Sequence, residues 1–133
     1  MDSDNLVKIR WSLDEPEVLY ILRTPTTNHM FEDKVNTLVE AVAKDFDPKA
    51  IIIFGSVAKG TATEDSDLDV AVIMETDLSW TQRVVAVRRT LGRFGMALDI
   101  LVFTPEEVEA ERKNPCTIVS EILSTGKVVY GAA

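Results

Sequence analysis

The chain has 133 residues, 46% apolar and 27% charged, and its 14 basic and 22 acidic residues leave a net charge of −8. That composition suits one soluble domain with a single core, and the acidic balance argues against DNA synthesis, which needs a basic track for the nucleic-acid backbone. No apolar run nears the roughly 20 residues needed to span a bilayer, and Met1-Asp2-Ser3-Asp4 is no signal peptide. The single cysteine, Cys116, gives neither a disulfide framework nor a cysteine-rich zinc site. A reducing, cytoplasmic setting with no membrane association is expected.

In chain order, residues 1–28 read as an N-terminal extension to which no role attaches. Within it Val18–Leu22 has strand composition, while Ser12-x-x-Glu15 beside Pro16 hints at a helix start. Asn28 or Thr27 can cap a helix from about Met30 to Phe46, whose apolar stripe is Phe31, Val35, Leu38, Val39, Val42 and Phe46. Asp47-Pro48 ends it. Ala50–Phe54 is a short β-branched run closed by Gly55, as expected of a strand buried on both faces. Ser56–Lys59 can then open a short helix. Its free N–H groups and the Ser56 hydroxyl would face an anion, although Gly-Ser after a strand is more often an ordinary turn.

Asp67–Met74 alternates and then turns apolar, so it reads as a second strand. Residues two apart share a strand face, which sets Asp67 and Asp69 on one side, roughly 7 Å apart at Cα. Adjacent like charges are costly unless neutralised, and hard oxygen donors suit Mg²⁺ or Mn²⁺. The plainer alternative is a solvated strand end with Asp65 and Ser66 in the turn. Ser79–Phe94 reads as a helix with Trp80, Val84, Val87, Leu91 and Phe94 on its buried stripe. Its Arg83, Arg88, Arg89 and Arg93 form a solvated face or a contact for triphosphate or partner.

Met96–Phe103 is a third strand, with Asp99 set among Ala97, Leu98, Ile100 and Leu101, where a charge needs a partner or a metal. If this strand neighbours that of Asp67, the three carboxylates converge, and two metals about 4 Å apart could bridge them. A salt bridge from Asp99 to Arg83, Arg89 or Arg93 is the alternative. Thr104-Pro105-Glu106-Glu107 is a strong helix start that yields near Asn114-Pro115, and another helix runs from about Pro115 to Ser124. His29, expected in a loop, and Cys116 lack partners for nucleophilic chemistry. The order of elements gives an α/β (α+β) fold: a small mixed sheet with helices packed on it.

Gly55-Ser56-Val57-Ala58-Lys59-Gly60, followed by Asp65-Ser66-Asp67-Leu68-Asp69 and a lone Asp99 on the next strand, resembles the DNA polymerase β-type nucleotidyltransferase superfamily. The likeness is to its small stand-alone branch, the minimal nucleotidyltransferases, and covers roughly residues 30 to 131. Ser120–Gly131 is similar to that branch's usual ending, a helix and a final short strand. The resemblance implies a nucleotidyltransferase domain over 29–131. It also implies that Asp67 and Asp69 ligate the metal holding the triphosphate, and that Asp99 completes a second metal site and helps deprotonate the acceptor hydroxyl. Gly55 and Ser56 would hold the β/γ-phosphates. Lys59, where the family often has arginine, would help as a point charge rather than a fork.

The reaction so implied is NMP transfer, AMP from ATP foremost, to an acceptor hydroxyl with release of pyrophosphate and two Mg²⁺ or Mn²⁺ ions in play. The branch is similar to antitoxins that act with a helical HEPN-type ribonuclease toxin, so AMP transfer to a tyrosine of such a partner is implied. A small molecule or an RNA end is another acceptor. The alternative is a non-catalytic nucleotide- or partner-binding module that keeps the fold. Few residues lie outside the catalytic core, so the acceptor pocket must be shallow, shared across a homo-oligomer, or supplied by another protein.

Overall fold

The computed structural model describes residues 6–9, 19–22 and 29–131. Strands β1 (Leu6–Ile9) and β2 (Leu19–Leu22) pair antiparallel, so the strand expected around Val18–Leu22 is realised. The helix hint at Ser12–Glu15 and the Thr27/Asn28 cap lie outside the described residues. There follow α1 (His29–Phe46), β3 (Ala50–Phe54), α2 (Gly55–Lys59), β4 (Leu68–Ile73) and α3 (Trp80–Leu91). The chain closes with β5 (Leu98–Phe103), α4 (Pro105–Glu111), α5 (Ile118–Thr125) and β6 (Lys127–Gly131). His29 opens α1 rather than sitting in a loop. Among the described residues no helix is long and apolar enough to cross a membrane.

The main sheet has the order β5-β4-β3-β6 and is mixed, with β4 and β5 parallel and the other pairs antiparallel. Strand alternation sorts its residues into two cores. Ile51, Ile53, Val70, Val72, Ile100 and Val102 pack against Phe31, Val35, Leu38 and Val42 of α1 and Val87 of α3. Ala50, Ile52, Ala71, Ile73 and Phe103 pack against Val108 of α4 and Val119 and Ile122 of α5. The result is three layers, α1/α3 on one face and α4/α5 on the other, which is why β3 carries no polar residue. Val39 and Phe46 sit at the margin of the α1 stripe, half-buried.

Two side chains depart from their expected places on α3. Trp80 is 47% exposed, resting edge-on against Phe103 with ring centroids 5.3 Å apart. Arg83 is buried rather than solvated. Its guanidinium donates to the Leu78 carbonyl (3.0 Å), the Val102 carbonyl (3.4 Å) and the Glu107 carboxylate (2.7 Å). A buried cation survives only with such a set of acceptors.

Glu107 also closes the capping box of α4: it accepts from the Thr104 N–H while Thr104 Oγ1 accepts from the Glu107 N–H. Partial burial works to raise its carboxyl, but the Thr104 N–H and the Arg83 guanidinium outweigh that and hold it below the usual carboxylate range. Its favourable contribution is therefore present above the ordinary carboxylate range and lost as pH falls through the lowered value. Glu107→Gln should destabilise the domain at neutral pH by about 1 kcal/mol, as expected for weakening one charge-assisted bond. Denaturant midpoints of parent and variant should converge in acid.

Candidate active site

The end of β3 and the starts of β4 and β5 lie side by side. Phe54 pairs with Asp69, and Asp69 in turn pairs with Asp99, in register across the parallel strands. By alternation Asp69 and Asp99 share the face of Ala71, Ile73 and Phe103, the side covered further along by α4 and α5. Asp67 stands one residue before β4, exposed, rather than within the strand. It is delivered by a turn in which Ser66 Oγ accepts from the Thr63 N–H (2.8 Å) and the Ser66 N–H donates to the Thr63 carbonyl (3.0 Å).

Asp69 is half-buried, and its carboxyl is pushed above the ordinary aspartate range by that burial, then by the negative charges of Asp99 and Asp67. The other two expected carboxylates therefore both act on Asp69, the central member. Asp99 is exposed, not enclosed by its apolar neighbours, and among the described residues it makes no salt bridge; Arg83 is committed to Glu107. Among the described residues, no three His, Cys, Asp or Glu side chains are arranged as a finished cage for an ion.

Gly55 adjoins the central carboxylate. Its φ is +71°, and a Cβ there would collide with the Asp69 carboxylate oxygen. Glycine is thus required twice, for the left-handed turn out of β3 and for clearance beside Asp69. Ser56 is half-buried in α2, and its carbonyl accepts from the Thr61 N–H at 3.0 Å. Lys59 is exposed at the helix end.

One set of contacts escapes sequence reading. The Ala97 carbonyl accepts from the Leu68 N–H at 3.0 Å, directly between Asp67 and Asp69. The loop that supplies it, residues 92–97, is held by Lys34 of α1, whose ammonium donates to the Phe94 carbonyl at 2.6 Å and lies 5.4 Å from the Phe94 ring centroid. Gly95, at φ +82°, leaves room for that ammonium. On the other side Arg88 donates to the Leu98 carbonyl at 2.6 Å, next to Asp99. A lysine in an amphipathic helix reads as solvated, and nothing in the sequence around Lys34 points to Phe94.

An open groove of about 570 Å³ runs along α5, lined by Pro115, Cys116, Ile118, Glu121 and Thr125 among others, and by none of the three carboxylates.

Comparison with known proteins gives this mixed sheet with acidic strand ends a family. The profile of the family described as polymerase beta, nucleotidyltransferase, matches residues 36–133, so the chain belongs to that family and is a nucleotidyltransferase. A Methanocaldococcus jannaschii protein named "putative protein adenylyltransferase" is 28% identical over 82 residues, covering 62% of this chain and 78% of the relative. The fold is similar to that of a "putative nucleotidyltransferase" from Sulfolobus solfataricus, with TM-score 0.52, 20% identity and coverage of 78% and 88% of the two chains. It is similar also to a chain of a toxin–antitoxin structure with AMP-PNP, with TM-score 0.53, 20% identity and 73% of each chain covered.

Because the folded state raises the Asp69 carboxyl above its unfolded value, folding binds a proton there, and stability falls as pH rises from the ordinary aspartate range through the raised value. Asp69→Asn should therefore raise the thermal midpoint of the metal-free protein at neutral pH, by roughly a few degrees. The gain should shrink in acid, as followed by thermal melts in chelator.

Proposed function

We propose that this nucleotidyltransferase transfers AMP from ATP to a hydroxyl of a partner protein, using Mg²⁺ or Mn²⁺ held by Asp67, Asp69 and Asp99. The observation that carries this reading is the in-register pairing of Asp69 with Asp99, with Asp69 already pushed toward its protonated form by burial and by both neighbouring acids. Such a group gains stability when positive charge arrives. The donors are all oxygen, which fits a hard divalent ion, and they leave coordination positions for phosphate oxygens and water. When bound, one or two such ions neutralise the triphosphate and acidify the attacking hydroxyl.

The chain's own residues supply the positioning on which phosphoryl-type transfer depends. Asp67 and Asp69 orient the triphosphate through its counter-ion. Gly55 brings the backbone close to the β/γ-phosphates without a side chain between, the Ser56 hydroxyl donates to them, and Lys59 adds a point charge. Asp99, exposed across from Asp69, accepts the hydroxyl proton as the acceptor oxygen bonds to the α-phosphorus. The bond from that phosphorus to the bridging oxygen breaks, and pyrophosphate leaves. In this reading residues 29–131 are the catalytic unit.

The adenine nucleotide and the protein acceptor draw support from the relatives: one is named for protein adenylylation, and another belongs to a toxin–antitoxin structure with AMP-PNP. We take the acceptor to be a tyrosine hydroxyl on a helical HEPN-type toxin.

Incubating the protein with α-phosphate-labelled ATP and Mg²⁺ in a lysate of its source cells tests the reaction. Label should enter a protein band with the parent and not with Asp69→Asn. Equal labelling by both would refute the metal-site assignment, and label confined to RNA or small molecules would refute the protein acceptor. Gly55→Val should weaken Mg·ATP binding roughly tenfold or more. Unchanged affinity by calorimetry would remove the phosphate-turn assignment.

A further inference from the structure

Residues 78–98 contain four arginines and none of the chain's 22 acidic residues, although the whole carries a net charge of −8. Two of those arginines are engaged: Arg83 is buried against Glu107, and Arg88 holds the Leu98 carbonyl. Arg89 and Arg93 are exposed, and among the described residues neither makes an ion pair or hydrogen bond. Gln82, Val85 and Arg89 recur at steps of three and four residues and so lie along one side of α3, with Leu78 just before its N-cap and Arg93 just after its C-cap, Gly92. Leu78 is 40% and Val85 42% exposed. The strip is apolar at the start of α3 and cationic at its end.

The strip is firmly backed and ends beside the candidate site. Arg83 ties the Leu78 carbonyl to the sheet, and Trp80 packs on Phe103. Arg88, from the last turn of α3, bonds the residue preceding Asp99. Two arginines partly close the edge of β5 to an added strand. The Ala97 and Phe103 carbonyls bond β4, so by alternation those of Leu98 and Val102 face outward, and Arg88 and Arg83 occupy them. What remains available is the outer face of α3.

We propose that this face docks an acidic segment of the acceptor protein, its apolar side chains on Leu78 and Val85 and its carboxylates on Arg89 and Arg93. The inference rests on the reading of a protein acceptor and names the surface that receives it. Charge complementarity selects the occupant: guanidinium forks match carboxylates, in the longest acid-free stretch of an acidic chain. A nucleic acid fits less well. Two free arginines neutralise few phosphates, the net charge repels a polyanion, and the apolar half of the strip has no counterpart on a phosphate backbone.

The test needs neither metal nor nucleotide. The nitrogen-15-labelled full chain is titrated with a soluble peptide of glutamate, leucine and glycine, and amide shifts are followed by NMR. Shifts should cluster on residues 78–93, weaken with salt, and require at least about fivefold more peptide in the doubly reversed variant Arg89→Glu/Arg93→Glu, as expected for two exposed pairs turned repulsive. The same peptide with lysine for glutamate should leave the strip unshifted. Shifts centred elsewhere, equal affinity for the reversed variant, no shifts at all, or preferential binding of a polyuridine oligonucleotide to the strip would each overturn the proposal. Loss of label transfer with binding intact would instead strike the reaction assigned above and leave the docking surface standing. A rise in mass on sedimentation of the protein alone, abolished by the double reversal, would replace the acidic partner by a second copy of this chain.

Discussion

The parallel pairing of β4 with β5 is the constraint on which the site depends. It sets Asp69 opposite Asp99, and the antiparallel pairing of β3 with β4 sets Phe54, and hence Gly55, beside Asp69. A slip of one residue in either register would turn a carboxylate toward the α1/α3 core. Both registers are secured by burial: Ile51, Ile53, Val70, Val72, Ile100 and Val102 face one core, while Ala50, Ile52, Ala71 and Ile73 face the other. Both faces of the sheet must be covered for the strand ends to be aligned.

Holding that alignment costs stability. Asp69 is pushed toward its neutral form by partial burial and by its two acidic neighbours, and Gly55 takes a left-handed turn with no room for a side chain beside the same carboxylate. Compensation comes from cations that bond carbonyls rather than carboxylates. Lys34 holds Phe94 and Arg88 holds Leu98, on either side of the loop whose Ala97 carbonyl bonds Leu68 between Asp67 and Asp69. Had those cations paired with the carboxylates instead, the site would already be neutral and would have little to gain from a divalent ion. The positive charges brace the backbone and leave the acidic field unspent.

Local pattern carried most of the fold. The three- and four-residue steps of Phe31, Val35, Leu38 and Val42 marked α1, the β-branched run Ala50–Ile53 marked β3, and Thr104-Pro105-Glu106-Glu107 marked the start of α4 as a capping box. The carboxylates were legible too, but Asp99 was singled out on a premise that fails. Its apolar neighbours belong to a strand covered only beyond its first residues, so Asp99 itself meets solvent. Arg83 and Trp80 were misplaced for a related reason. The α3 periodicity gives its inward face, yet the carbonyl of Val102 and the carboxylate of Glu107 lie far along the chain and decide that Arg83 is buried. Lys34 was illegible because its acceptor is sixty residues away.

The positions of the two arginine pairs on α3 complete the physical picture. Arg83 and Arg88 face the sheet, where they close the outward carbonyls of β5 and protect the end of an otherwise open edge. Arg89 and Arg93 face water in a chain of net charge −8. An acidic domain gains solubility from self-repulsion, but the same field repels an acidic acceptor. Arg89 and Arg93 relieve that field locally, at the end of the helix whose Arg88 bonds the residue before Asp99. On the proposed reading, orientation of a protein acceptor draws on contacts outside the reacting groups. The docking face proposed on α3 would supply them, tied to the candidate site through the Arg88–Leu98 bond.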